Sequence, residues 1–222
     1  MDRTLLTVFA LIGVSWTLIP GIYLIEETET CQTVFDTDSY LNFSSNLKDL
    51  ASCSDHLIEH LEGEKRSNLL GLLQNAADRL KSVLLKACQN VNPKNCSLPL
   101  IPANGGLICI TVDKTRYCKP LCNKGYDFAF LRISRLYEEC GENTNYRWDT
   151  QYIGGRRLAV CTASSRRVSG MPSAYFPERC HDVLYNYTQE KIMISTFKDE
   201  LKKTIIGKFN KKNMCLLCGD SS

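Results

Sequence analysis

The sequence of 222 residues lacks the motifs on which most catalytic sites depend. It has no Ser-His-Asp set, no Gly-x-Ser-x-Gly elbow, no phosphate-binding loop and no paired-carboxylate motif. It has no internal repeat with a period of about 20–50 residues, which excludes a repeat array. Its net charge of +3 is too small to indicate nucleic acid. We therefore expect a protein that is not an enzyme, uses no cofactor and binds no nucleic acid.

Cysteine, in contrast, is abundant. Twelve cysteines are spread along the chain, and their even number suits a disulfide framework in an oxidising compartment. The composition is that of a globular protein, with 44% hydrophobic and 23% charged residues. Together these features predict a folded, disulfide-rich chain.

The first 30 residues resemble the start of a secretory protein. Arg3 precedes an apolar run from Leu5 to about Ile25, followed by acidic residues. We favour a signal peptide cleaved near residue 17. The alternative is a signal anchor that uses the whole run, which at about 20 residues is just long enough to span a bilayer. Both interpretations place the rest of the chain outside the cytosol, either secreted or as a single-pass membrane-anchored protein.

Three Asn-x-Ser/Thr triplets are candidate glycosylation sites, as expected for an extracellular glycoprotein. They begin at Asn42, Asn95 and Asn186.

Residues 31–95 have a helical pattern. A short helix is predicted to end at Gly63, and a second to begin after the capping residue Ser67. The second helix has an apolar stripe at 3.6-residue spacing, formed by Leu69, Leu73, Ala76, Leu80, Val83, Leu84 and Ala87. In an antiparallel helical pair, Cys53 and Cys88 would come close together. We therefore predict a disulfide between them.

Residues 96–161 have the pattern of a small β-structure. Short alternating runs on either side of Asp113-Lys114 predict a β-hairpin with its turn at this charged pair. No helix is predicted between Cys96 and Cys161.

The cysteines of this segment have surroundings similar to those of a sushi module, also called a complement control protein module. Cys96 is followed by prolines and by Asn104-Gly105, Cys122 by Gly125-Tyr126, and Cys140 by Trp148, and Cys161 closes the unit. The match covers residues 96–161. It resembles the six-cysteine variant found in selectins, because Cys109 and Cys118 are additional.

The resemblance implies three disulfides, namely Cys96–Cys140, Cys122–Cys161 and Cys109–Cys118. It also implies a role in extracellular protein recognition. Aromatic and basic side chains of the module are then the candidate binding residues, and we select Tyr126, Phe128, Phe130, Arg132 and Tyr137.

The C-terminal part begins with a polar stretch, residues 162–180, which we interpret as a linker or loop. Residues 181–222 predict a basic amphipathic helix and a cysteine-containing tail. The apolar face of the helix has Ile194, Phe197, Leu201, Ile205 and Phe209, and the other face has Lys191, Lys198, Lys202, Lys203 and Lys208. We favour docking of this helix on its own protein, with binding to a heparin-like polyanion or a membrane as the alternative. Arg166-Arg167 is a candidate processing site in the linker.

Two residue sets have metal-binding spacing, and we favour a non-metal interpretation for both. His56, Glu59 and His60 form an H-x-x-E-H pattern on a short helix, where a solvated helix face is the simpler interpretation. Cys180, His181, Cys215 and Cys218 could form a zinc set, but oxidised cysteines are expected in a secreted protein.

The sequence therefore predicts a disulfide-rich α+β protein. A leader (1–30) and a helical segment (31–95) precede one small all-β sushi-like module (96–161), and a linker and an amphipathic helix follow it. The predicted function is non-catalytic recognition or adhesion through an extracellular protein partner. The alternative is a processed secreted ligand with a basic helical tail.

Overall fold

The computed structural model describes residues 37–53, 60–150 and 155–220. The chain forms two compact units, Met1–Gln74 and Asn75–Ser222. The predicted signal segment, Cys31, His56 and Glu59 lie outside the described residues. Within the described ranges, no helix is both long enough and apolar enough to cross a membrane.

The first unit contains helix α1 (Thr37–Ser52) and the start of helix α2 (Gly63–Gln89), which continues into the second unit. Helix α2 therefore begins at Gly63, where the preceding helix was predicted to end, and it begins four residues before the predicted capping residue Ser67. Glu64 in the first turn favours a helix start here, because an acidic side chain stabilises the positive end of the helix dipole. Lys65 adds an ion pair to Glu62 at 3.0 Å.

The apolar stripe of α2 is exposed instead of being packed in a helical pair. Leu80, Val83 and Leu84 are 66%, 62% and 53% exposed. The 3.6-residue spacing predicted the helix correctly, but spacing alone does not identify the element that would cover the stripe.

The second unit is built on an antiparallel sheet. Its hairpin consists of β1 (Gly105–Val112) and β2 (Thr115–Cys122), and the turn at Asp113-Lys114 is confirmed. Asp113 takes a left-handed conformation with φ of 51°, which a tight hairpin turn requires. The sheet order is β4-β2-β1-β6, where β4 is Glu138–Cys140 and β6 is Phe209–Cys218.

Strand β1 is buried on both faces. Ile108 and Ile110 belong to the main core, together with helix residues such as Phe197 and Leu201. Leu107 and Cys109 belong to a second core with Trp148 and Leu158. This division follows the two-residue period of a strand, whose side chains alternate between faces. The Trp148 indole packs in the same cluster as Cys96 and Cys140, and its Nε1 donates to the Ser97 carbonyl at 2.7 Å.

The Gly105-Gly106 pair at the start of β1 allows two disulfides to approach the strand. A Cβ at Gly105 would lie 2.9 Å from the Cys161 Sγ, and one at Gly106 would lie 2.5 Å from the Cys180 Sγ. Neither position has room for a larger residue.

A two-stranded sheet of β3 (Tyr126–Phe128) and β5 (Cys161–Ala163) has a third small core, with Cys122, Phe128 and Tyr175. The prediction of a linker over residues 162–180 is wrong. Phe176 in this segment is fully buried in the main core, and its amide donates to the Cys122 carbonyl at 2.9 Å. In the sequence, Tyr175-Phe176 lies in a mainly polar segment, and for this reason its burial was not predicted.

The C-terminal region forms helix α3 (Cys180–Leu184), helix α4 (Tyr187–Leu201) and strand β6. Docking of the basic helix on its own protein is confirmed, because Phe197 and Leu201 are fully buried in the main core. The helix is shorter than predicted. Phe209 keeps helical spacing in the sequence but begins β6, and the predicted tail is an edge strand paired with β1.

Five disulfides crosslink the second unit: Cys88–Cys215, Cys96–Cys140, Cys109–Cys118, Cys122–Cys161 and Cys180–Cys218. The middle three are the pairs that the sushi resemblance implied. Closing a loop of the size between Cys96 and Cys140 contributes about 4 kcal/mol in the chain-entropy description. The disulfide-rich α+β class is thereby confirmed.

The predicted Cys53–Cys88 bridge is wrong. Cys88 at the end of α2 lies beside β6 and bonds to Cys215, and Cys53 is an exposed free thiol. The prediction treated residues 31–95 as a closed helical hairpin and could not include a strand that begins more than a hundred residues later.

Candidate protein-contact surface

Five large apolar side chains are exposed on two loops of the second unit. Phe130, Leu131 and Ile133 lie on the first loop, residues 129–136, and Val168 and Met171 lie on the second, residues 164–171. Their exposed fractions run from 40% to 63%. We call these five residues the apolar patch.

The first loop is fixed to the β-structure at its start. The Ala129 amide donates to the Val160 carbonyl at 3.0 Å. The Arg132 side chain points into the protein, where its guanidinium donates to the Leu158 carbonyl at 2.9 Å and lies 5.7 Å from the Phe128 ring centre. The neighbouring side chains of Leu131 and Ile133 are exposed.

A buried carboxylate, Glu138, fixes the rest of the first loop. Arg132 Nη1 and Arg135 Nε each lie 2.8 Å from a Glu138 carboxylate oxygen. Burial raises the pKa of Glu138, and this effect exceeds the opposing influence of the two arginines. Arg135 also forms an ion pair with Asp149 at 2.9 Å. Ionic contacts to Glu138 of strand β4 and to Asp149 therefore hold the first loop in place.

A second buried carboxylate, Asp127, fixes the second loop. It accepts the Val168 amide at 3.0 Å, the Ser169 amide at 3.1 Å and the Ser169 hydroxyl at 2.9 Å. It also accepts the Tyr175 hydroxyl at 2.5 Å and the Phe128 amide at 2.8 Å. One side chain on strand β3 therefore holds the backbone that presents Val168.

These contacts change the acidity of both partners. Burial alone would raise the pKa of Asp127, but the hydrogen bonds from Tyr175, Val168, Ser169 and Phe128 bring it below its ordinary value. Burial and the hydrogen bond to Asp127 raise the pKa of Tyr175 to about 12. Asp127 is therefore held as an anion that accepts hydrogen bonds.

The two loops are directly joined. The Arg132 amide donates to the Ser169 carbonyl at 2.5 Å, so the backbones that present Leu131 and Val168 lie side by side. Arg166 and Arg167 are exposed immediately before Val168 and provide a basic border. The result is an apolar patch on two mutually supported loops, beside positive charge.

Of the five predicted binding residues, Phe130 is exposed in the patch. The prediction is wrong for Phe128 and Arg132, which are 4% and 7% exposed. Tyr126 is half-buried against the third core, and Tyr137 packs edge-on against Tyr117 with 5.5 Å between ring centres. Aromatic and basic residue types are as common in a small core as on a binding surface, which explains these errors.

Sequence reasoning missed Leu131, Ile133, Val168, Met171 and the anchor Asp127. The available signal was the run Phe130–Ile133, three large apolar residues around one arginine in a segment with neither helical nor strand alternation. Val168 and Met171 could be predicted only by recognising that residues 162–180 pack on the β-structure instead of forming a linker.

The other predicted sites have separate outcomes. Asn42, Asn95 and Asn186 are all exposed, and Asn186 Oδ1 also caps helix α4 by accepting the Gln189 amide at 3.2 Å. Cys180, Cys215 and Cys218 are all in disulfides, as the oxidised interpretation of this set predicted. His60 is exposed, but its partners in the H-x-x-E-H pattern lie outside the described residues.

Comparison with known proteins identified no matching family model, curated protein or solved structure. The disulfide framework is consistent with an extracellular protein.

Proposed function

We propose that this protein is a secreted, non-catalytic recognition protein that binds an extracellular protein through the apolar patch. The observation that carries the proposal is the exposure of five large apolar side chains on two loops held by buried Asp127 and Glu138. The sushi-like cysteine pattern of residues 96–161 supports the same class of function by resemblance.

Physical reasoning favours a binding role for this patch. Exposed apolar clusters are unfavourable in water and commonly mark interaction sites. Binding also costs conformational entropy when loops must be ordered, and a surface that is already ordered avoids much of this cost. The hydrogen bonds from Val168 and Ser169 to Asp127 order the second loop in advance.

The chemistry of the surface indicates the kind of partner. Leu131, Ile133 and Val168 would contact an apolar surface, and Arg166 and Arg167 at the border would attract acidic groups around it. We therefore propose a partner that presents apolar side chains flanked by Asp or Glu.

The test uses secreted, labelled full-length protein and its saturable binding to a panel of intact cells. Leu131→Glu places a charge in the patch. Leu84→Glu is the matched control, because Leu84 is a similarly exposed leucine on helix α2 outside the patch. We expect Leu131→Glu to weaken binding by about 30-fold, which corresponds to a loss of about 2 kcal/mol, the size typical of a hot-spot residue.

Leu84→Glu is expected to bind as the unchanged protein does. Equal affinity of both variants would contradict the patch as the contact surface. Failure of the chain to reach the culture medium in disulfide-bonded form would contradict the secreted location separately. Enzymatic removal of N-linked glycans from the secreted chain, read by mass, tests Asn42, Asn95 and Asn186 in the same preparation.

A further inference from the structure

A partly enclosed cavity of about 130 Å³ lies in the second unit. The hairpin residues Cys109 and Arg116 are part of its lining, and none of the patch residues is. Most of its lining is apolar, with Leu85 from the end of α2, Leu217 from β6, and Leu98, Pro99 and Ile101 from the segment between α2 and β1. One charged side chain, Arg116 of β2, completes it. The volume is close to that of an apolar protein cavity that accepts benzene.

Arg116 is 2% exposed, and its hydrogen-bond partners among the described residues are all neutral. Nη1 donates to the Thr111 hydroxyl at 2.8 Å and to the Asn213 carbonyl at 3.3 Å. Nη2 lies 3.2 Å from the Cys88 carbonyl, and 2.9 Å and 3.0 Å from the sulfurs of Cys88 and Cys215. None of these groups supplies a negative charge.

The other buried basic side chains among the described residues differ from Arg116 in this respect. Lys119 Nζ lies 2.6 Å from a Glu200 carboxylate oxygen, and Arg132 Nη1 lies 2.8 Å from a Glu138 carboxylate oxygen. A buried charge is normally paired in this way, because removing it from water without a counter-charge is costly. Burial lowers the pKa of Arg116 to about 10.

We infer that this cavity binds a small organic monoanion with a short apolar body, of the class of the short-chain carboxylates. Its carboxylate would supply the counter-charge that Arg116 lacks. The donor available to it is Arg116 Nη2, which faces the two disulfide sulfurs, because sulfur is a much weaker acceptor than a carboxylate oxygen. Its apolar body would lie among Leu85, Leu98, Ile101 and Leu217. The cavity volume limits that body to about six non-hydrogen atoms.

The test is a titration of the full-length, disulfide-bonded protein with butyrate, read by the methyl NMR signals of Leu85, Leu98, Ile101 and Leu217. Butyramide, which has nearly the same shape but no charge, is the comparison ligand, and chloride keeps the ionic strength constant. We expect saturable shifts of these methyl signals, with butyrate bound at least tenfold more tightly than butyramide.

Two leucine variants provide a matched pair. Leu98 and Leu100 are 41% and 43% exposed, but only Leu98 lines the cavity. Leu98→Trp should fill the cavity and abolish the butyrate shifts, and Leu100→Trp should leave them unchanged. In a folded Arg116→Gln protein the two ligands should bind equally. The inference is overturned if butyrate produces no saturable shift, if butyramide binds as tightly in the unchanged protein, or if Leu98→Trp has no effect.

Discussion

The protein exposes apolar side chains in two different settings. On helix α2, Leu80, Val83 and Leu84 project from a regular helix whose backbone bonds are local. In the apolar patch, Leu131 and Val168 project from irregular loops whose backbones are fixed by contacts between distant parts of the chain.

The difference shows why exposure alone does not define a binding site. The backbone of a helix is ordered by its own local hydrogen bonds whatever the apolar stripe contacts, so the order of α2 does not indicate a binding function. An irregular loop is ordered only where particular side chains satisfy its backbone, and here a buried carboxylate does so. Replacing Asp127 should therefore remove the order that distinguishes the second loop from the exposed stripe of α2.

The largest expected effect is on stability when Asp127 is replaced. Asp127→Asn keeps the shape of the side chain but removes the charge and places an amide N–H among donors. We expect the free energy of unfolding to fall by about 3 kcal/mol, the size expected when a buried, hydrogen-bonded charge is lost. Guanidinium denaturation with disulfides intact measures it.

Asp113→Asn is the control for this prediction. Asp113 is an exposed acid in the hairpin turn, and asparagine tolerates its left-handed backbone equally well. Its unfolding free energy should remain within about 0.5 kcal/mol of the unchanged protein. Equal losses in the two variants would show that Asp127 has no special role.

A second effect is on pH dependence. The pKa of Asp127 is lowered in the folded protein, whereas in the unfolded chain it is about 3.9. Its contribution is therefore complete above about pH 5 and is lost as the pH falls through the folded-state pKa. The stability difference between the unchanged protein and Asp127→Asn should shrink between pH 6 and pH 3. Because Glu138 is present in both proteins, its titration cancels from this difference. A constant difference over that range would contradict an ionised Asp127.

The smallest expected effect is on proteolysis at Arg167, which also tests the alternative of a processed ligand. The guanidinium of Arg167 lies 5.2 Å from the Tyr175 ring centre, and the next amide, Val168, is bound to Asp127. A protease must extend the chain on both sides of the bond it cuts, so we expect cleavage to be about tenfold slower in the unchanged protein than in Asp127→Asn.

Mass analysis before and after reduction reads this cleavage. A cut after Arg167 leaves Cys180–Cys218 in one fragment, and Cys88–Cys215 still joins the two fragments until reduction. Secreted protein that is already cut there would contradict the protected loop and support the processed ligand.

Local patterns in the sequence predicted local structure well. The turn at Asp113-Lys114 and the helical phase of α2 follow from two-residue and 3.6-residue periods. The three disulfides of residues 96–161 followed from a resemblance in cysteine order and not from spacing itself.

Features that depend on distant partners were not predictable in the same way. Phe209 fits the helical stripe of α4, yet it pairs with Val112 as part of β6. Asp127 has the residue type of an exposed strand position, and its burial depends on donors about 40 residues later in the chain. No window of local sequence contains both partners of such a contact.

The most direct test of the proposed recognition surface is the affinity of a folded Asp127→Asn protein for its cellular partner, measured beside the unchanged protein. This variant retains all five patch side chains and alters only the support beneath the second loop. If prior ordering of the loops is what makes the patch a recognition surface, affinity should fall by about tenfold, because the loop must then be ordered on binding. Unchanged affinity in a variant with all five disulfides formed would contradict it.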